Sequence, residues 1–424
     1  MRPHTRAELT PSSAVPIAYY TFAHTGLAAA LLVLAADPGL PGASFYHPRM
    51  VALVHLLTLA WLSGSILGSF YIVGPLALRL AILASRIDWL GFGAFVLGTV
   101  GMVSHFWINT YDGMAWSAGL VAAAMAWVGW RALSGLPRSA TPWPVALHIV
   151  LAFFNVLAAA ALGILLGLDR TRGFLAVSPL ALMFGHIHLA AVGWATMMVV
   201  GLAYRLIPMM LPAAMPTGRA LAVSAVLIET GLAVLIVTLL LAPAWVPAGA
   251  VLITAGLVSF VFQIRRTLAR RVPRPPALPS RDWSTWQTHA ALVWLLIATA
   301  LGLVLSIATV PEHRLTLMWI YAVAGLVGFL AQIVVGMQGR LVPLYAWYRA
   351  GAVRATPPAH GANSLPSAGF ARPIFFAWTA GVPLLAWGLA FQGELAIRAA
   401  ALLLLSGVVL GWLYQVRMLR RARA

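Results

Sequence analysis

Residues 55–75 read HLLTLAWLSGSILGSFYIVGP and residues 188–208 read HLAAVGWATMMVVGLAYRLIP. Laid over one another without a gap, they pair His55 with His188, Trp61 with Trp194, Gly68 with Gly201, Tyr71 with Tyr204 and Pro75 with Pro208. Matches at identical spacing in histidine, tryptophan, tyrosine and proline indicate an internal repeat rather than a shared Leu/Ala bias. Both stretches lie inside longer apolar runs, 49–79 and 178–211. Each run is too long for a strand and long enough to cross roughly 30 Å of hydrocarbon as a helix.

Ten further apolar runs extend the pattern over the whole chain, near 15–36, 88–110, 113–133, 142–168, 218–241, 244–264, 283–309, 314–347, 371–391 and 396–416. Asp37-Pro38-Gly39, Pro137, Pro216 and the Pro-rich 273–279 punctuate them. Of 424 residues, 62% are hydrophobic and 8% charged, too little polar surface for a water-soluble globule of this size. The expected fold is all-α: an integral membrane bundle of about twelve transmembrane helices.

The net charge of +18 comes from 27 basic residues, all of them Arg. Twelve spans put both termini on one side, and 22 of the 27 Arg fall there, the exceptions being Arg49, Arg170, Arg172, Arg314 and Arg398. The positive-inside rule then predicts cytoplasmic termini in a bacterial inner membrane. The basic loops read as a topology signal that meets anionic lipid, not as a nucleic-acid site. The polar start, MRPHTRAELTPSSAVP, leads directly into a full-length span with no cleavable signal in view.

The tenth run keeps part of the repeat. Gly336 and Pro343 fall in register, and Arg340-Leu341-Val342-Pro343 echoes Arg205-Leu206-Ile207-Pro208, but Val323 stands where the histidine belongs. The runs preceding the second, sixth and tenth each carry one histidine about two turns in, His24, His148 and His289. The chain thus reads as one polytopic domain, 1–424, of three pseudo-symmetric four-helix repeats at about 15–133, 142–264 and 283–416.

Without cysteine, thiolate sites, iron–sulfur clusters and covalently attached c-type haem are excluded, so metal chemistry falls to histidine. An imidazole inside a membrane span is costly unless it is paired or ligates something. His55, His186 and His188 are the leading candidates; His24, His148, His289 and His105 are weaker ones. In Gly185-His186-Ile187-His188 the two imidazoles lie about 200° apart around the helix, so they serve opposite flanks. Trp61 and Trp194 are candidates for a cofactor wall or for plain packing. Glu229, the one carboxylate placed near a bilayer midplane, is a candidate for a proton or ligand role, with a hydrogen-bonded structural role as the plain alternative.

The segments 54–76 and 185–210 resemble the second helix and the His-x-His helix of the haem–copper oxidase superfamily, in the subunit I fold of cytochrome oxidases and nitric oxide reductases. A more distant similarity is to the NnrS family. The likeness spans most of the chain by topology and about fifty residues by motif. It implies one or two b-type haems, with His55 and His188 as axial ligands of a low-spin haem and His186 as the proximal ligand of a second. It also implies electron transfer, or binding and reduction of oxygen or nitric oxide, with quinol or cytochrome c as electron donor. Two departures are plain: His-x-His lies on the sixth span rather than the tenth, and no His-His pair follows to supply copper or non-haem iron. A transporter or channel, and a structural component of a respiratory complex, are the competing functions.

Overall fold

A computed structural model describes residue 9, residue 11 and residues 13–82, 84–273, 282–307, 311–354 and 362–422. Most of the Pro-rich stretch 273–279 and Arg423 lie outside the described residues. The chain is all-α, with twelve helices long and apolar enough to cross a membrane, and no β-strand occurs among the described residues. They are α1 (Val15–Ala36), α2 (Pro48–Ala77), α3 (Arg86–Trp107), α4 (Met114–Arg138), α5 (Trp143–Arg172), α6 (Pro179–Met210), α7 (Arg219–Leu241), α8 (Pro243–Leu268), α9 (Trp283–Ile307), α10 (His313–Gly351), α11 (Ala368–Ala390) and α12 (Glu394–Arg421). Each apolar run of the sequence coincides with one of them to within a few residues. The protein is a multi-pass membrane protein.

Lipid offers no partner to backbone N–H and C=O groups, so each span satisfies its own as a helix. Local signals set the ends. Pro48 and Pro179 occupy first-turn positions where no backbone N–H is needed, and the Ser178 side chain caps α6 by accepting from the Ala181 N–H. Gly173 ends α5 in the left-handed conformation, φ 60°, where a side chain is unfavourable, and its N–H closes on the Asp169 carbonyl at 2.8 Å. Large apolar side chains such as Leu97, Trp116, Leu241 and Leu395 lie exposed on the helices, a surface that suits hydrocarbon.

The helices group into two compact units, one formed by residues 1–89, 273–298 and 315–424, the other by 90–272 and 299–314. These groupings cut across the four-helix sequence repeats. In the first unit α1 packs on α2 and α12, α12 on α11, and α10 on α2 and α12; Trp61, Trp378, Tyr19 and Tyr345 are fully buried there. In the second, α5 packs on α4 and α6, and α7 on α6 and α8, over Tyr204, Phe153 and Phe260.

The α7–α8 contact is built on glycine. A Cβ at Gly231 would stand 2.7 Å from the Ile253 nitrogen, one at Gly249 2.7 Å from the Leu235 Cα, and one at Gly256 2.7 Å from Ile228 Cγ1. Small residues at these points let the two backbones touch, the packing that stabilises helix pairs in lipid.

Candidate functional site

His55 ends the first α-helical stretch of α2, Pro48–His55, and His188 ends the first stretch of α6, Pro179–His188. Immediately after each, the helix widens into a π-helical segment, Leu56–Ser63 in α2 and Leu189–Thr196 in α6, before narrowing again. The two segments have equal length and the same offset from their histidine. A third π-helical segment, Val323–Ala331, lies at the corresponding place in α10, where Val323 and Ala331 replace the histidine and the hydroxyl residue eight positions on. Wide turns of this kind are uncommon and concentrate at functional sites.

Both histidines are held alike. His55 Nδ1 lies 2.8 Å from the Val51 carbonyl and His188 Nδ1 lies 2.7 Å from the Phe184 carbonyl, each one turn back on its own helix. A carbonyl only accepts, so in the neutral ring Nδ1 carries the proton and Nε2 carries the lone pair. That is the tautomer of a histidine ligand whose second nitrogen is anchored to backbone.

The wide turns also have matching braces. The Ser63 hydroxyl donates to the Thr58 carbonyl and the Thr196 hydroxyl to the Ala191 carbonyl, both at 2.9 Å and both reaching back five residues. Ala331 in α10 has no hydroxyl to offer. Sequence reasoning passed over Ser63 and Thr196, although a hydroxyl eight positions after each repeated histidine was there to be read. Thr196→Val removes the hydroxyl at nearly constant volume and is expected to destabilise the protein by about 0.5–1.5 kcal/mol. Thermal unfolding checks the size of this effect, and Ser63→Ala should match it within the same range.

His186 turns away from His188, as the helical azimuth requires. Its Nδ1 crosses to α5 and donates to the Ala159 carbonyl at 2.9 Å, while its ring packs over Gly163. It shares the Nε2 lone pair of the other two but is anchored to a neighbouring helix.

The weaker candidates divide. His148 is buried and bonded at both nitrogens, Nδ1 donating to the Pro144 carbonyl at 2.7 Å and Nε2 lying 3.0 Å from the Ser224 hydroxyl, which also meets Tyr204. His24 is likewise engaged at both, Nδ1 with the Tyr20 carbonyl at 2.7 Å and Nε2 with the Gln415 amide at 3.3 Å. Each of these two rings is thus held at both nitrogens by protein groups. His105 closes the α3–α4 turn through Nδ1 and the Thr110 carbonyl at 3.0 Å, and His289 sets its ring edge-on to Trp286.

Nor do His24, His148 and His289 share a repeat position, as the sequence suggested. A Cβ at Gly68 would meet Tyr19 Cβ, one at the equivalent Gly201 would meet His148 Cβ, and one at Gly336 would meet the Thr288 hydroxyl. His148 therefore stands level with Tyr19 and Thr288. His24 faces Trp61, at 5.0 Å between ring centroids, where Phe153 faces Trp194 at 5.3 Å. Helices α1, α5 and α9 lack a gapless motif, so counting turns from their ends misplaced the register.

Trp61 also stacks on Trp378 at 6.3 Å, so both repeat tryptophans are packed against side chains of their own unit. Glu229 on α7 is half-buried and accepts a hydrogen bond of 2.7 Å from the fully buried Asn155 amide on α5. Arg170 lies over the Tyr111 ring. Among the described residues no group of three or more His, Cys, Asp or Glu is placed to hold a bare metal ion.

The chain matches no family model and no curated protein.

Proposed function

We propose that the protein is a membrane haem protein of the haem–copper oxidase subunit I type, acting in electron transfer or in binding and reduction of a diatomic gas. The observation that carries this reading is the twice-built histidine head: an imidazole with Nδ1 fixed to backbone and the lone pair on Nε2, set at the start of a hydroxyl-braced wide turn. A porphyrin brings its own equatorial nitrogens, so this donor set suits haem iron, which needs one or two axial imidazoles and no third side chain. Bound there, haem would supply one-electron redox chemistry and a place for a gas to bind.

The chain's own contribution is to hold the ligands. His55 in the first unit and His188 in the second would each offer Nε2 to b-type haem, and His186, aimed to the other flank of α6, would offer Nε2 to a separate centre. Ser63 and Thr196 keep the wide turns that orient the first two. The Ala159 carbonyl fixes the ring and tautomer of His186. Copper and non-haem iron are left out of the proposal, because no histidine pair follows His-x-His.

The gas-binding part is tested with carbon monoxide or nitric oxide difference spectra. His186→Ala should remove the gas-binding component and spare the low-spin one. Retention of gas binding in that variant would overturn the role given to His186.

The proposed setting is a bacterial inner membrane with both termini in the cytoplasm. Reporter fusions at Arg270 and Arg423 should both report cytoplasm, and an external signal from either reverses the sidedness. Quinol and cytochrome c remain the electron donors this reading implies.

A further inference from the structure

The first unit contains a cavity of about 40 Å³ whose lining includes His24, Trp61, Gln287, Trp378, Gly411 and Gln415. Buried polar atoms gather around it. The indole N–H groups of Trp61 and Trp378 and both amide atoms of Gln287 have no hydrogen-bond partner among the described residues, and each of these side chains is at most 2% exposed. Beside them runs a satisfied chain. The Gln338 amide donates to the Ser65 hydroxyl at 3.1 Å, Gln415 donates to the Gln338 carbonyl at 2.8 Å, and the same Gln415 nitrogen lies 3.3 Å from His24 Nε2.

A buried polar atom without a partner is expensive, and native proteins leave few of them. A polar occupant would satisfy all four in one small space. The occupant's chemistry follows from the lining. Among the described residues no Arg, Asp or Glu lines the cavity, so these residues offer a charged ligand no counter-charge. Donors outnumber acceptors among the unmet groups, with two indole N–H groups and an amide NH2 against one amide carbonyl. The occupant is therefore neutral and rich in lone pairs. At roughly 10–15 Å³ for each water, the volume takes about three.

The lining also reaches one end of the unit. It includes Trp283 and Ser284, the first residues of α9, and Tyr414 and Met418 in the last turns of α12, on the side that carries both termini. His24 lies nine residues into α1, about 14 Å deep at 1.5 Å per residue. We propose that the cavity is a hydrated relay, in which two or three waters bridge Trp61, Trp378 and Gln287 and keep His24 in proton exchange with the aqueous phase on the side of the termini. It does not rest on the haem reading.

The test is hydrogen–deuterium exchange of the indole N–H groups, read by nitrogen-15 indole labelling of the whole chain in lipid nanodiscs. Trp61→Phe and Trp378→Phe assign the two signals. Trp194, equally buried and packed on Phe153, is the reference. Trp61 and Trp378 should exchange at least tenfold faster than Trp194. Gly411→Ala then narrows the cavity without a collision, since its Cβ would stand 3.7 Å from His24 Nε2. That variant should slow exchange at Trp61 severalfold and leave Trp194 unchanged. Protection of Trp61 and Trp378 equal to that of Trp194 overturns the proposal, as does density for a lipid or other organic molecule in the cavity at a resolution that shows waters.

Discussion

His55→Ala and His188→Ala are each expected to diminish the low-spin haem spectrum, because each removes an imidazole proposed to hold the iron. The expectation comes from the repeat: the same residue, the same Nδ1 anchor at 2.7–2.8 Å and the same wide turn after it. Electron paramagnetic resonance and reduced-minus-oxidised optical spectra read the loss directly. His148→Ala is the control. It breaks the contact to Ser224 and is expected to destabilise by about 1–3 kcal/mol through the polar groups left behind. It should leave the spectrum as it is. If neither ligand variant alters the haem spectrum, or if His148→Ala mimics one of them, the ligand assignment fails even in a protein that binds haem.

The largest stability effect is expected at the α7–α8 contact. Gly249→Ala places a methyl group 2.7 Å from the Leu235 Cα and nitrogen, where only backbone can give way, so the helices must separate. Overpacking of this kind costs about 1–3 kcal/mol, and Gly249→Leu costs more. Gly119→Ala on α4 is the matched comparison, since its Cβ would meet nothing within 4 Å. There the better helix propensity of alanine should be neutral or stabilising by up to about 1 kcal/mol. Thermal unfolding in detergent compares them, and equal melting temperatures for Gly249→Ala and Gly119→Ala would contradict the packing described.

The spans were legible in the sequence because an apolar run of twenty or more residues has one stable form in lipid, and Pro or Gly marks many of its ends. The divergence of His186 and His188 was legible for a similar reason, since helical geometry fixes the azimuth of residues two apart. The π-helical segments left no such trace. LLTLAWLS and LAAVGWAT are apolar apart from Thr58, Ser63 and Thr196, and composition does not tell a wide turn from a narrow one. Ser63 and Thr196 carried a faint signal as equivalent hydroxyls, visible once the two stretches are aligned. The relay in the first unit was out of reach, because Gln415 and His24 stand 391 positions apart and meet only through tertiary packing. His24 and His148 looked equivalent by their place in the helix, and only the contacts made by Gly68 and Gly201 show that they are not.

The central claim is that the histidine heads of α2 and α6 hold haem, and the optical spectrum of the intact protein, purified from haem-replete cells, tests it most directly. The account predicts a Soret band that travels with the protein through purification, a b-type haemochrome, and iron at one or two atoms for each chain. Colourless, iron-free protein with its fold intact would contradict it.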